Sequence, residues 1–186
     1  EQKRRHQLLD VLSQEIAQGK IIGLCNEPGE SGPRALGNRS VIARPDNAEL
    51  AKKVSMACKK REWYRPVAPV MLEKNARYFT SKEHIHHLSK YMLLNFFIPE
   101  KRRTEIAGAV HIDGTARIQT IFDRQQHPFL YDLLVLLEKT YQIKALINTS
   151  FNMKGKPMVH NRDDALTQAK EMGLDAVVVD YEYVGM

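Results

Sequence analysis

Cysteine is almost missing from this chain: Cys25 and Cys58 are the only two among 186 residues. They share no paired spacing, which excludes a zinc framework and a disulfide scaffold. Each is expected to be a small core residue, and such cysteine usage fits a reducing cytoplasm. Long apolar runs are missing too. None approaches the roughly 20 residues a membrane helix needs; "YMLLNFFIP" is too short and reads as a strand. No secretion signal is visible. The phosphate-binding fingerprint G-x-x-x-x-G-K-[ST] is absent, no G-x-G-x-x-G follows a strand, and "GESG" lacks the G-x-S-x-G spacing of a nucleophile elbow. These gaps exclude a P-loop ATPase and a dinucleotide fingerprint and make Ser31 a poor nucleophile candidate. The chain opens on Glu1 instead of Met, as a piece cut from a longer protein would.

Positive charge is what the sequence does have. Lys and Arg number 28 against 22 Asp and Glu, a net charge of +6. The balance favours anionic partners: nucleotides, phosphorylated metabolites, nucleic acid or acidic surfaces. A hydrophobic fraction of 43% with 27% charged residues describes a folded globular chain of one-domain size.

Patterning along the chain alternates helices and strands. Leu8, Leu9, Leu12 and Ile16 stand at helical spacing, with Gly19 as a stop. "KIIGLC" and "RSVIAR" read as strands on either side of a Gly/Pro/Arg loop. "DNAELAKKVSMACKK" reads as a helix capped by Asp46 or Asn47. "VAPVML" reads as a strand that Pro69 assigns to an edge or a bulge. "EKNARYFT" is a short helix and "KYMLLNFFIP" a strand. In "AVHIDGTARIQTIF" two β-rich runs flank Asp113-Gly114, the signature of a tight hairpin. "HPFLYDLLVLLEKTYQ" is an apolar helix, "KALINTSF" a strand, "NRDDALTQAKEMG" a helix from Asn161 to Gly173, and "LDAVVVDY" a closing strand. The class is α/β (or α+β), one domain over 1–186 with a mixed sheet.

Polar clusters fall at the ends of these strands, where open sheets place ligands. One is the loop carrying Arg34, Arg39 and Arg44. A second, "KKREWYR", holds Lys59, Lys60, Arg61 and Arg65. The third, "NTSFNMKGK", holds Asn148, Thr149, Ser150, Asn152, Lys154 and Lys156. Arg117 lies beside the expected hairpin turn. Taken singly, each reads as solvated charge, turn chemistry or a cross-strand ion pair. Their common position describes a polyphosphate pocket, with arginines to grip oxygens and glycines to bring backbone N–H groups close. His84, His86 and His87 read as a surface patch and not a metal site; no metal ligand set is assigned. His111 reads as a strand residue.

The segments "GPRALGNRSVIARP", "KKREWYRPVAPVML", "HIDGTARIQTI" and "INTSFNMKGKPMV", followed by "DDAL", resemble the C-terminal domain of the NodU/CmcH-type O-carbamoyltransferases, in that order and over nearly the whole chain. The resemblance implies a YrdC-like fold, a twisted mixed sheet with surrounding helices and a basic concave face. It implies formation of carbamoyl adenylate from ATP and carbamoyl phosphate, with Mg²⁺ assisting. A separate N-terminal domain of the actin/sugar-kinase type, bearing a metal, would then pass the carbamoyl group to a hydroxyl of a small-molecule acceptor. The YrdC-like Lys-x-Arg motif matches Lys59 and Arg61, and the Ser-x-Asn motif matches Ser150 and Asn152. Lys60 stands where such enzymes often carry glycine. The implied roles put Lys59 and Arg61 at the phosphates and carbamoyl group. Ser150 and Asn152, with Thr149, would contact the α-phosphate or ribose. Arg34 and Arg39 would hold carbamoyl phosphate, with Arg117 on the far side of the anion. The fold's association with RNA makes a nucleotide- or RNA-binding module the alternative.

Overall fold

The computed structural model describes residues 2–32, 34–60, 62 and 67–186. Arg61, Trp63, Tyr64 and Arg65 lie outside the described residues, so the expectations placed on Arg61 and Arg65 meet no structure here.

Nine strands and six α-helices appear among the described residues. In chain order they are α1 (Gln2–Ala17), β1 (Ile22–Cys25), β2 (Arg39–Ala43), α2 (Ala48–Lys53), β3 (Ala68–Leu72), α3 (Glu73–Thr80), β4 (Phe96–Phe97), α4 (Glu100–Arg103), β5 (Thr115–Ala116), β6 (Gln119–Ile121), α5 (Pro128–Tyr141), β7 (Leu146–Ser150), α6 (Arg162–Met172), β8 (Ala176–Val179) and β9 (Glu182–Gly185). Seven strands form one sheet in the order β6-β3-β7-β2-β1-β8-β9. The sheet is mixed: β1 with β8 and β3 with β6 run parallel, and the remaining neighbours run antiparallel.

Both faces of the sheet are covered. Side chains alternate along each strand, so Ile22, Leu24, Ile42, Val70 and Val178 pack under α1 and α5. Ile21, Cys25, Val41, Ile147, Val177 and Val179 pack on the opposite face against α6 and the segment after α2. Leu12 and Ile16 of α1 are fully buried, as the helical spacing predicts. A third core, with Met71, Phe79, Phe96, Ile106 and Ile118, lies under the two-stranded sheet β4-β5. Both cysteines are unpaired and buried, and burial pushes the Cys58 thiol up to about 11.

Helix ends follow their caps. Asn47 accepts from Leu50 N–H and Asn161 from Asp164 N–H, and Gly173 closes α6 at φ +64°. α2 does not continue as one α-helix: residues Val54–Cys58 form a π-turn whose last bond runs from Lys59 N–H to the Val54 carbonyl. Such π insertions re-aim the residues that follow them.

Three expectations are corrected. β3 is interior, not an edge; Pro69 is accommodated because pairing with β6 starts at Val70. "KYMLLNFFIP" forms a 3₁₀ turn at His87–Tyr91 and only a two-residue strand, broken by Met92 in the left-handed region at φ +56°. Asp113-Gly114 makes a turn, closed by His111 N–H to the Thr115 carbonyl at 2.7 Å. The run after it, however, pairs with β4 and then, as β6, with β3. The Asp113 carboxylate reinforces the turn, accepting Thr115 N–H at 2.9 Å and Thr115 Oγ1–H at 2.7 Å. β9, whose side chains are half-buried or exposed, has no counterpart in the sequence expectations.

Gly23 sits where β1 passes Phe151, and a Cβ there would lie 2.6 Å from the aromatic ring and 3.1 Å from Leu174. Gly23→Ala is expected to lower stability by about 1–3 kcal/mol through overpacking, read as a lower urea midpoint at unchanged m-value. An unchanged midpoint would show that this face tolerates extra volume.

Candidate functional site

The strand directions bring the separate polar clusters to one end of the sheet. β1 ends there at Cys25, paired with Arg39 at the start of β2. β7 ends there at Ser150, paired with Ser40. Ala68 opens β3 opposite Asn148, and β6 begins nearby at Gln119, with Arg117 two residues ahead. The described residues that follow β1 and β7 and those that precede β2, β3 and β6 therefore meet at one end of the sheet.

Lys59 is the hub. Its side chain is only 4% exposed. The ammonium donates to Ser150 O at 2.5 Å, Ser150 Oγ at 3.1 Å and Asn152 Oδ1 at 2.8 Å, and also to the Asn152 carbonyl. Ser150 Oγ–H in turn donates to Asn152 Oδ1 at 2.6 Å, and Asn152 Nδ2–H to the Lys156 carbonyl at 2.7 Å. Phe151, between these two polar residues, is fully buried in the core against α6. Its N–H donates to the Arg39 carbonyl at 2.9 Å. The alternation Ser-Phe-Asn thus turns two polar side chains to Lys59 and one ring into the core. Lys60 takes the left-handed region at φ +49°, which explains why glycine suits that position. Thr149 is a half-buried ladder residue opposite Val41.

The arginines of the β1–β2 loop differ sharply. Arg39 is 8% exposed, and its guanidinium is occupied by backbone carbonyls: Val159 at 3.1 Å, Asn26 at 2.8 Å, Glu27 at 2.9 Å, Asn38 at 3.0 Å and His160 at 3.3 Å. It clamps the loops after β1 and β7 to each other, and in this structure its donors are not directed at the cleft, against the expectation that it grips carbamoyl phosphate. Arg44 is paired with Asp46 at 2.6 Å and donates to the Ala17 carbonyl at 2.5 Å, at the opposite end of β2. Arg34 is exposed and, among the described residues, makes no ion pair.

Arg117 is half-buried, and its Nε is buried with no acceptor among the described residues. Burial lowers its affinity for the proton, and the neighbouring Arg34 charge adds to the effect. Burial and the Arg34 charge both work against the Arg117 cation, which leaves positive charge without compensation there. His111 borders it: burial pulls the ring below its ordinary value against the charge of Asp113, and Arg117 adds to the lowering.

Two buried amides support this arrangement: Asn148, already placed in the third polar cluster, and Gln119, which the sequence does not single out as a site residue. Gln119 Nε2–H donates to the Leu36 carbonyl at 2.7 Å, Asn148 Nδ2–H to the Ala35 carbonyl at 3.2 Å, and Asn148 Nδ2–H also to Gln119 Oε1 at 2.5 Å. They fix the backbone just after Arg34. Glu30 and His127 were also missed. Glu30 accepts three backbone N–H groups of the loop, and the His127 ring lies against Gly37. The only available signal was a polar residue inside an otherwise apolar strand for Gln119 and Asn148; nothing in the sequence pattern singles out His127. His84, His86 and His87 are exposed, and no group of three metal-ligating side chains occurs among the described residues.

This sheet order and its surrounding helices place the chain among YrdC-like folds. Full-length HypF in a phosphate- and nucleotide-bound form superposes with a TM-score of 0.65 at 16% identity, over 92% of this chain and 24% of that one. A variant of P. abyssi Sua5 gives 0.64 at 15% identity, over 92% and 48%. The chain belongs to the carbamoyltransferase C-terminus family, whose model matches residues 13–185. Nodulation protein NolO of Bradyrhizobium diazoefficiens is 37% identical over 164 residues, 88% of this chain and 30% of that protein. The 3'-hydroxymethylcephem-O-carbamoyltransferase of Amycolatopsis lactamdurans is 32% identical over 171 residues, 91% and 31%. The chain thus spans under a third of the length of these relatives. Among the described residues no helix is long and apolar enough to cross a membrane.

His127 gives the loop a pH signature. Its Nδ1 accepts Leu130 N–H at 3.3 Å and so caps α5. Burial pulls the ring below its ordinary value of about 6.5, against the charges of Glu30 and Glu27. The unfolded chain therefore binds a proton that the folded ring resists, and stability present above pH 6.5 is lost as pH falls below it. His127→Asn keeps a capping acceptor and should flatten that fall in urea midpoints measured from about pH 7 to 5. An unchanged slope would exclude His127 as its source.

Proposed function

We propose that this chain is the adenylating domain of an O-carbamoyltransferase, forming carbamoyl adenylate from ATP and carbamoyl phosphate. The observation that carries the reading is the half-buried Arg117, whose Nε finds no acceptor among the described residues, at the sheet end that also holds the Lys59–Ser150–Asn152 hub. One donor lacks an acceptor, and a second polar group stands at the same sheet end. Family membership supports a carbamoyl substrate, and a protein of the same fold holds phosphate and nucleotide.

In this reading carbamoyl phosphate and water give carbamate and phosphate. A carbamate oxygen then attacks the α-phosphorus of ATP, and pyrophosphate leaves. Carbamoyl phosphate, carbamate and ATP are all anions, so the domain's work is positioning and charge neutralisation. Arg34 and Arg117 hold carbamoyl phosphate from two sides. Ser150 and Asn152, with Thr149 beside them, face the α-phosphate or ribose. Lys59 orders that turn and brings positive charge to it, and Arg61 completes the Lys-x-Arg pair at the phosphates. Arg39, committed to carbonyls, holds the loops together. No carboxylate cluster among the described residues fits a resident metal; Mg²⁺ fits as the escort of the ATP phosphates, held mainly by nucleotide oxygens. Transfer of the carbamoyl group to a small-molecule hydroxyl belongs, on this reading, to a partner domain of the actin/sugar-kinase type. The unpaired thiols suit a cytoplasmic setting.

Calorimetry should detect AMP or ATP binding, and adding carbamoyl phosphate with Mg·ATP should release both phosphate and pyrophosphate. Arg34→Ala and Arg117→Ala should each reduce pyrophosphate release by about 10²–10³, the scale of a lost oxyanion donor, with folding retained. Full rates in both variants would overturn the site assignment. An absence of nucleotide binding by the unaltered chain would overturn the function.

A further inference from the structure

The loop between β1 and β2 is wrapped around one of its own carboxylates. Glu30 Oε1 accepts Leu36 N–H at 2.7 Å, Asn38 N–H at 2.6 Å and Arg39 N–H at 3.4 Å. Backbone donors converging on one oxygen form an anion nest, and here the chain supplies the anion. Gly37 makes the turn possible at φ +132°, a conformation only glycine adopts freely. Its Cα is pressed against α5: an added Cβ would collide with His127 Nε2 and lie 2.5 Å from Leu130 Cδ1. On the carbonyl side, Asn148 and Gln119 hold Ala35 and Leu36. Residues 35–39 are therefore fixed through their N–H groups by Glu30 and through their carbonyls by two buried amides. Arg34, exposed, immediately precedes this fixed segment, and Gln119, which holds Leu36, opens β6 two residues after Arg117.

We propose that Glu30 is a positioning residue for the carbamoyl phosphate end of the site: its carboxylate folds residues 35–39 about itself and so holds Arg34 within reach of the anion that Arg117 also grips. The proposal rests on the functional reading above and deepens it. The sign of its effect is diagnostic. Removing a negative charge beside an anion site strengthens anion binding if the charge does nothing else. Removing a positioning carboxylate weakens it.

Glu30→Ala and Glu30→Gln test this with three readouts. The KM for carbamoyl phosphate in pyrophosphate release should rise about tenfold or more in Glu30→Ala, as for one lost charge-assisted contact, and less in Glu30→Gln, which keeps an acceptor oxygen. AMP affinity by calorimetry should stay within about twofold, because the Ser150–Asn152 hub is held separately by Lys59. Amide hydrogen exchange at Leu36, Asn38 and Arg39 should quicken. A KM that is unchanged or lower, or exchange that does not change, would overturn the proposal. If Glu30→Ala does not fold, Glu30→Gln decides by the same criteria. An unaltered chain that binds neither AMP nor carbamoyl phosphate would sink the functional reading and this role with it. The exchange result would still show separately whether Glu30 holds the loop.

Discussion

One buried ammonium organises this end of the molecule. Taking a lysine out of water is costly unless its donors find good acceptors. Lys59 finds them in a single short turn, with two oxygens from Ser150 and two from Asn152. The segment after the π-turn and the segment after β7 are thereby fixed to each other across a long stretch of sequence. Phe151 ties the same turn to the core on the α6 face, so the geometry of the polar turn is set by hydrophobic packing as well as by charge. The exposed pair Lys154–Glu62, at 3.2 Å, links the same two segments from outside and contributes little by comparison.

The β1–β2 loop shows how one residue type serves opposite ends. Arg39 gives its donors to carbonyls and becomes part of the scaffold. Arg44 neutralises Asp46, which is held below its ordinary value chiefly by that hydrogen bond. Arg34 is left with neither. The half-buried Arg117 loses hydration, and its Nε gains no acceptor among the described residues. The function proposed above would relieve that cost by bringing an anion to it.

Much of this was legible in the sequence because it depends on local rules. Helical spacing located α1 and α5, Asn161 and Gly173 bounded α6, and long motifs gave the family. The polar clusters were legible at strand ends, and the sheet topology brings those ends to one side. What failed depends on tertiary partners. Pro69 was assigned to an edge because a missing N–H is harmful inside a sheet, but β6 is short enough to leave that position unpaired. The Asp113-Gly114 turn was read as a hairpin because local sequence cannot say that β6 will find β3 instead. Arg39 was grouped with Arg34 because the two look alike in sequence. Only the positions of the Asn26, Glu27 and Val159 carbonyls separate a clamp from a ligand-facing cation. Glu30 was invisible for the same reason, since its partners are backbone groups, which every residue has.

Sheet topology explains why so many cations can be brought together. In a wholly parallel sheet one edge collects only strand C-termini. Here β7 is inserted antiparallel between β3 and β2, so the ends of β1, β7 and β8 meet the beginnings of β2, β3 and β6. Residues that precede strands, such as Arg117 and Lys59, can then face residues that follow one, such as Asn152. The crowding of positive charge this permits is a burden on stability, borne by the large cores on both faces. On the function proposed above, a site for two polyanions would draw donors from more directions than one class of strand end can supply.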